Sequence, residues 1–219
     1  DVPLVEIDAK NVSPLRFSGR KTVVSADYGP EMVIATYRTG QSHIEIKDSP
    51  VVFVGYGINA PEKKWNDYAG VNVKGKTVVI LVNDPDYQNP TLRGPFSGRA
   101  MTYYGRWTYK FEEAARQGAA AAIIVHDTVP AAYGWNVVQS SWTGAQHVAD
   151  SANGNADQSA AIGWMQKDKA AALMASAGLN LDTLMAAAKK RGFKAMPLKG
   201  VKASVSFDIP EFNGSVRVM

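Results

Sequence analysis

Apolar residues fall into two periods along this chain, and the switching between them predicts its elements. Val51-Val-Phe-Val-Gly-Tyr-Gly57 and Lys76-Thr-Val-Val-Ile-Leu-Val82 are short, β-branched runs bounded by glycine turns, the form taken by strands buried on both faces. Trp107, Phe111, Ala114 and Ala115 fall at i, i+4, i+7 and i+8, which predicts a helix over about Trp107 to Gln117 that Gly118 ends. Ala119 to Val125 returns to the buried-strand pattern. Strand, helix and strand in succession predict a right-handed crossover between parallel neighbours. Ala161-Ile-Gly-Trp-Met165 is a further strand, followed by helices over Lys167 to Ala177 and about Leu181 to Arg191. Gly178 and Gly192 close these helices, and Asn180 and Asp182 stand at the start of the second. Val201, Ala203, Val205 and Phe207 alternate with Lys202, Ser204, Ser206 and Asp208, predicting a half-exposed strand that ends near Ile209.

The pattern is weaker elsewhere. Val2 to Ile7, Val23-Val24, Glu31 to Tyr37 and His43 to Lys47 are expected as short strands among Gly and Pro turns. Thr128 to Ala160 is polar and rich in Gly, Ser, Asn and Asp, with Val137-Val138 its one apolar pair, and is expected as a long loop.

At 219 residues and 46% hydrophobic, the chain can bury the core of one domain, or of one domain with a long arm. Its 24 basic and 20 acidic residues are interspersed, and Lys189-Lys190-Arg191, the one basic run, sits at a helix end. A phosphate-tracking surface needs clustered cations, so no nucleic-acid partner is expected. The absence of cysteine excludes disulfides, thiol catalysis and thiolate metal sites. No window approaches the ~20 apolar residues of a membrane span. Asp1-Val-Pro-Leu4 lacks the pattern of a signal peptide, and the start without Met reads as an excised piece whose export signal would have preceded it.

Candidate chemistry is sparse. His43 and Glu45 share a strand face and could supply two zinc ligands, but no third is near in sequence, and a polar strand edge is the better account. Asp84 and Asp86 flank Pro85 at a strand end and could hold a hard cation, although a plain turn explains them. Glu112 and Glu113 point about a hundred degrees apart on a helix and read as a solvated face rather than a catalytic pair. Gly55-Tyr-Gly57 lacks the third glycine and helix start of a dinucleotide fingerprint and reads as a turn. No serine stands in a nucleophile-elbow context. What remains is Arg99, Tyr103, Tyr104, Arg106 and Trp107, with Trp142 in the later segment. Guanidinium forks and rigid aromatic rings suit a surface that meets a peptide or another protein. The competing account is that these aromatics pack the domain's own loops.

Val51-Val-Phe-Val-Gly-Tyr-Gly-Ile58, Ala60-Pro-Glu62, Trp65-Asn-Asp-Tyr-Ala-Gly-Val71, Lys74-Gly-Lys76 and the Arg99 to His126 stretch together resemble the protease-associated domain inserted in bacterial zinc aminopeptidases. That family is similar to the di-zinc exopeptidases that include glutamate carboxypeptidase and the transferrin receptor ectodomain. The likeness continues through Val138-Gln-Ser-Ser-Trp142, Gly163-Trp164 and Ala177-Gly-Leu-Asn-Leu-Asp182, and so spans about Pro50 to Phe207. It implies an α+β fold, a small β-sandwich or open barrel with flanking helices, that is itself non-catalytic and borders a peptidase active site. It further implies segments 1–49 of strands leading in, 50–209 of the domain proper and 210–219 of linker or tail.

By the same resemblance the partners are the catalytic peptidase domain of the same polypeptide and peptide substrates. Two zinc ions are expected in that catalytic part, none in this chain, and the location is periplasmic or secreted. The His-x-Asp of the family's zinc site is absent here. Arg99, Tyr103, Tyr104, Arg106, Trp107 and Trp142 are the residues expected to face the substrate or the interface, and a free-standing interaction module is the alternative. An inserted domain brings its two ends together, so the Val2 to Ile7 strand is expected beside Val201 to Ile209.

Overall fold

The two β-branched runs form the centre of an eight-stranded mixed sheet in the computed structural model, which describes residues 2–19, 22–210 and 216–218. In chain order the strands are β1 (Val2–Ile7), β2 (Leu15–Ser18), β3 (Val23–Ala26), β4 (Met32–Ala35), β5 (His43–Phe53), β6 (Asn59–Ala60), β7 (Trp65–Asn66), β8 (Thr77–Leu81), β9 (Ala121–His126), β10 (Gln146–Ala149), β11 (Ala161–Gln166), β12 (Met196–Asp208) and β13 (Val216–Val218). The helices are α1 (Trp107–Arg116), α2 (Thr128–Ala131), α3 (Trp135–Trp142), α4 (Lys167–Ser176) and α5 (Leu181–Ala188). The large sheet runs β3-β2-β12-β5-β8-β9-β11-β4. Strands β5, β8, β9 and β11 are parallel neighbours, and the other pairings are antiparallel. The class is α+β: a nearly closed, barrel-like mixed sheet with flanking helices.

Alternation along the central strands divides their side chains between two cores. Phe53, Val79, Leu81, Ile123, Val125 and Met165 face the barrel interior with Phe17, Ile44, Val205 and Phe207, and α4 and α5 close it with Leu173, Met174 and Leu184. Val52, Val78, Ile80, Ile124 and Trp164 face the other way, beneath Phe111 and Ala114 of α1 and Val138 and Trp142 of α3. Each such side chain contributes about 1.5–3 kcal/mol on burial, so both faces must be covered, and helices on both sides do this.

The expected crossover is present: β8 and β9 run parallel from Thr77↔Ala121 to Leu81↔Val125, with α1 between them. Gly118 ends α1 at φ +77°, and Asn180 caps α5 by accepting a hydrogen bond from Thr183 N at 2.9 Å. In β12 the buried positions are Val201, Ala203, Val205 and Phe207, as its alternation predicts. Gly163 of β11 has a steric reason: a Cβ there collides with the carbonyl oxygen of Val33 on β4.

The structure departs from the sequence expectation in several places. Residues 128–160 are not one loop but contain α2, α3 and β10. Trp135, Val138 and Trp142 stand at i, i+3 and i+7, an apolar stripe that docks α3 on the sheet. Strand β5 runs unbroken through Pro50, and β4 pairs with β11, so residues on both sides of the 49/50 division share one sheet. Within the segment read as linker, Val216–Val218 form β13, while 211–215 and 219 lie outside the described residues. Strand β1 lies between β10 and β13 in a separate three-stranded sheet rather than beside β12. Its link to β12 is a bridge one turn on, where Lys10 and Asp208 exchange two backbone hydrogen bonds of 2.8 Å.

Candidate functional site

Residues 82–106 leave the C-terminal end of β8 and reach α1 without forming a strand or α-helix, so their shape has to come from side chains. The Asp86 carboxylate accepts hydrogen bonds from Phe96 N at 3.1 Å and Gly98 N at 3.2 Å, which folds the loop back on its own start. Phe96 is fully buried and meets Trp65 and Tyr104 edge to face at 5.2 and 5.8 Å, and Tyr104 meets Tyr109 of α1 at 5.0 Å. These aromatic contacts, each contributing about 0.5–1.5 kcal/mol beyond burial, fasten the loop to the helix that follows it.

A buried polar cluster lies beneath the loop. Lys110 is wholly buried and donates to the carbonyl oxygens of Tyr56 at 2.6 Å and Tyr104 at 2.7 Å, tying the turn after β5 to the residues before α1. Burial drives its pKa down to about 7, against the pull of Asp67 and Asp84. Asp67 accepts from Ile58 N at 3.0 Å and Trp65 Nε1 at 2.8 Å, and burial still raises it to about 6. Burial pushes Asp84 up to about 8, with the adjoining Asp86 carboxyl adding to the effect. Its Oδ2 atom and Oδ1 of Asp86 are buried without a hydrogen-bond partner among the described residues. Burial of Asp84 Oδ2 without a partner favours the neutral, protonated form of that carboxyl.

A pH dependence of stability follows. The folded chain keeps the Asp84 proton from its ordinary value of 3.8 up to about 8, and that of Asp67 up to about 6, whereas the unfolded chain has released both. Stability therefore falls as pH rises through that window. Lys110 acts oppositely, since between about 7 and 10.5 only the unfolded chain holds its proton, and stability recovers there. Thermal unfolding at constant ionic strength should give a Tm that falls from about pH 4 towards pH 7 and passes through a minimum near pH 7–8. Asp84→Asn should flatten the fall. A Tm that climbs steadily from pH 5 to 8 contradicts this assignment.

Above the cluster the loop presents the rim. Arg99 and Arg106 are exposed and Tyr103 is 51% exposed, its hydroxyl donating to Glu112 Oε1 at 2.6 Å. Tyr104 and Trp107 are half-buried, and the Tyr104 hydroxyl donates to Glu62 Oε1 at 2.8 Å. Arg106 and Trp107 line a cleft of about 290 Å³ together with Val82, Met101, Ala131 and Tyr133. It opens at the carboxyl ends of β8 and β9, where α/β sheets commonly receive ligands. Trp142 lies elsewhere: it is 8% exposed and packs edge to face on Trp107 and Phe111 at 5.7 Å, so it supports the rim from inside. For Trp142 the account in which aromatics pack the domain's own loops is the one observed.

The other candidate residues disperse. His43 Nδ1 lies 2.7 Å from Asp208 Oδ1 at an exposed strand end. His126 is buried, with Nε2 3.0 Å from the Tyr133 carbonyl, and His147 sits 3.7 Å from Glu6. Among the described residues no three His, Asp or Glu side chains converge on one point. Glu113 is not on a solvated face: it is buried and accepts from Arg116 Nε at 2.7 Å, Gln117 Nε2 at 2.8 Å and Asn59 Nδ2 at 3.3 Å. The sequence reading missed Lys110 and Tyr133. Lys110 occupies the i+3 position of a stripe whose other members, Trp107, Phe111 and Ala114, are apolar, and that placement was its available signal.

No family model matches the chain, and no curated protein sequence does. Solved structures that it resembles include an aminopeptidase from Aneurinibacillus sp. strain AM-1, at 18% identity and a TM-score of 0.40 over 94% of this chain. A zinc aminopeptidase from Bacillus subtilis is similar at 14% identity and a TM-score of 0.34 over 97% of this chain. The chain spans 32% and 33% of those two proteins, about a third of each.

Proposed function

We propose that this chain is a protease-associated accessory domain of a zinc aminopeptidase, bordering the active site and helping to position or restrict peptide substrates. The observation that carries the reading is the rim itself. Arg99, Tyr103 and Arg106 stand exposed on a loop braced by three layers of aromatic contact, beside a cleft lined by Trp107, Met101 and Tyr133. Preorganised guanidinium and ring groups lower the entropic cost of holding a flexible peptide, and such positioning is the domain's part in the reaction. The pairing of β1 with β13, which sets Val2 opposite Val218, also supports insertion into a host domain, because it brings two distant segments to one edge.

In this reading bond cleavage belongs to the host's catalytic domain, with two zinc ions held there, and the protein works in the periplasm or outside the cell. No zinc-dependent step is assigned to residues of this chain. Arg106→Ala combined with Tyr104→Ala in the full-length enzyme should raise KM several-fold for peptides of four or more residues and leave a single-residue chromogenic substrate unaffected. Unchanged kinetics at every peptide length refutes the positioning role. Coding sequence flanking the domain that lacks di-zinc ligands would instead favour a free-standing interaction module.

A further inference from the structure

From Tyr87 to Tyr109 the sequence contains no Asp or Glu, yet it includes Arg93, Arg99 and Arg106. All three are exposed, and none of their guanidinium groups has an ion-pair or hydrogen-bond partner among the described residues. Some surface cations elsewhere are neutralised by carboxylates, among them Lys167 by Asp127, Lys169 by Glu31 and Arg116 by Glu113, at 2.7–2.8 Å, whereas this stretch carries no acidic residue of its own. The loop therefore concentrates unneutralised positive charge, which selects an anionic occupant.

The cleft beside it narrows the choice. Val82, Met101, Ala131, Trp107 and Tyr133 form its apolar walls, and Arg106 stands at its lip. Its volume of about 290 Å³ is at the small end for ligand pockets and suits one apolar side chain rather than a run of residues. Gly105 and Thr108 also border it, so the first turn of α1 opens onto the same space, and no side chain caps that helix start. Uncapped N–H groups and the positive end of the helix dipole add to the guanidinium in favouring a carboxylate at the lip.

Apolar pocket and anion site are thus within one residue's span. In a peptide the C-terminal residue alone carries a side chain and a carboxylate on the same Cα. A carboxylate from an Asp or Glu side chain belongs to a different residue from the one filling the pocket, and reaches the lip only from further away. We infer that the cleft between Arg106 and Tyr133 binds the C-terminal residue of short peptides, taking its apolar side chain inside and its free α-carboxylate at Arg106. The inference rests on the accessory-domain reading for its supply of peptides and adds to it an end preference: the host trims from the amino terminus while this domain holds the other end.

The test is binding of three peptides to the 219-residue chain, followed by NMR chemical-shift titration: acetyl-Ala-Ala-Phe with a free carboxylate, its C-terminal amide, and acetyl-Ala-Phe-Asp amide. A charge-assisted pair predicts binding of the free acid about tenfold or more tighter than either amide. Shifts should centre on Trp107, Thr108 and Tyr133. Arg106→Gln should abolish the preference for the free acid without changing Tm, and Arg93→Gln should leave it. Equal affinity for acid and amide overturns the inference, as does tight binding of the Asp-containing amide or failure of the free acid to bind at millimolar concentration. None of those results decides the accessory role, which the full-length kinetics test separately.

Discussion

Lys110→Ala is expected to destabilise the fold by about 3–5 kcal/mol, the range seen when one member of a buried charged set is removed. The ammonium donates to the Tyr56 carbonyl at 2.6 Å and the Tyr104 carbonyl at 2.7 Å, and its loss leaves both without that partner. It also removes the positive charge that draws on Asp67, the carboxyl of this cluster that is ionised at neutral pH. Because native domains are stable by only about 5–15 kcal/mol, the variant should show a greatly lowered urea midpoint. Lys110→Met, which keeps the packed stem and drops the charge, should recover part of the loss. Stability within 1 kcal/mol of the parent for Lys110→Ala would mean that the loop is held without it.

The second large effect is expected at Trp164. Its side chain is 1% exposed at the middle of β11, opposite Val33 of β4 and Ile124 of β9, and it faces Trp142 at 6.5 Å and His126 at 6.3 Å. Trp164→Ala opens a cavity beneath α3 and should cost about 3–5 kcal/mol. Because Trp142 in turn supports Trp107, the variant should also loosen the rim: hydrogen exchange ought to accelerate first in α3 and at the start of α1. Exchange that accelerates uniformly across the sheet argues against this line of support.

Legibility in the sequence followed how local the determining contacts were. The β8-α1-β9 unit was readable because each of its elements carries its own period and its own terminating glycine. Strand β12 was readable because one face is wet and the other dry, which its alternation records directly. The helix α3 was not, since Gly134, Asn136 and two serines mask a stripe of three apolar residues whose partner surface is built by strands elsewhere in the chain. Position β1 likewise depends on β10 and β13, more than 130 residues away, and no local pattern specifies such a partner. At the site, exposure of Arg99, Tyr103 and Arg106 matched what their residue types suggest. Trp142 did not, because an aromatic side chain looks the same in sequence whether it faces solvent or the sheet. Asp84 and Lys110 were opaque for the opposite reason: ionisable residues are ordinarily at the surface, and burial of this pair is a property of the finished tertiary structure.

Pairing between β5 and β12 joins Phe53 to Met196 and His43 to Asp208. While the chain is being synthesised, about 140 residues separate the appearance of one strand from the other, a wait of roughly 7–30 s at ribosomal rates. Throughout that interval β2 and β5 lack the strand that joins them, and Phe17, Ile44 and Ile46 lack their neighbours on β12. The half-built barrel thus keeps apolar side chains uncovered until β12 is made, which makes the interval between β5 and β12 the stage of synthesis most exposed to aggregation.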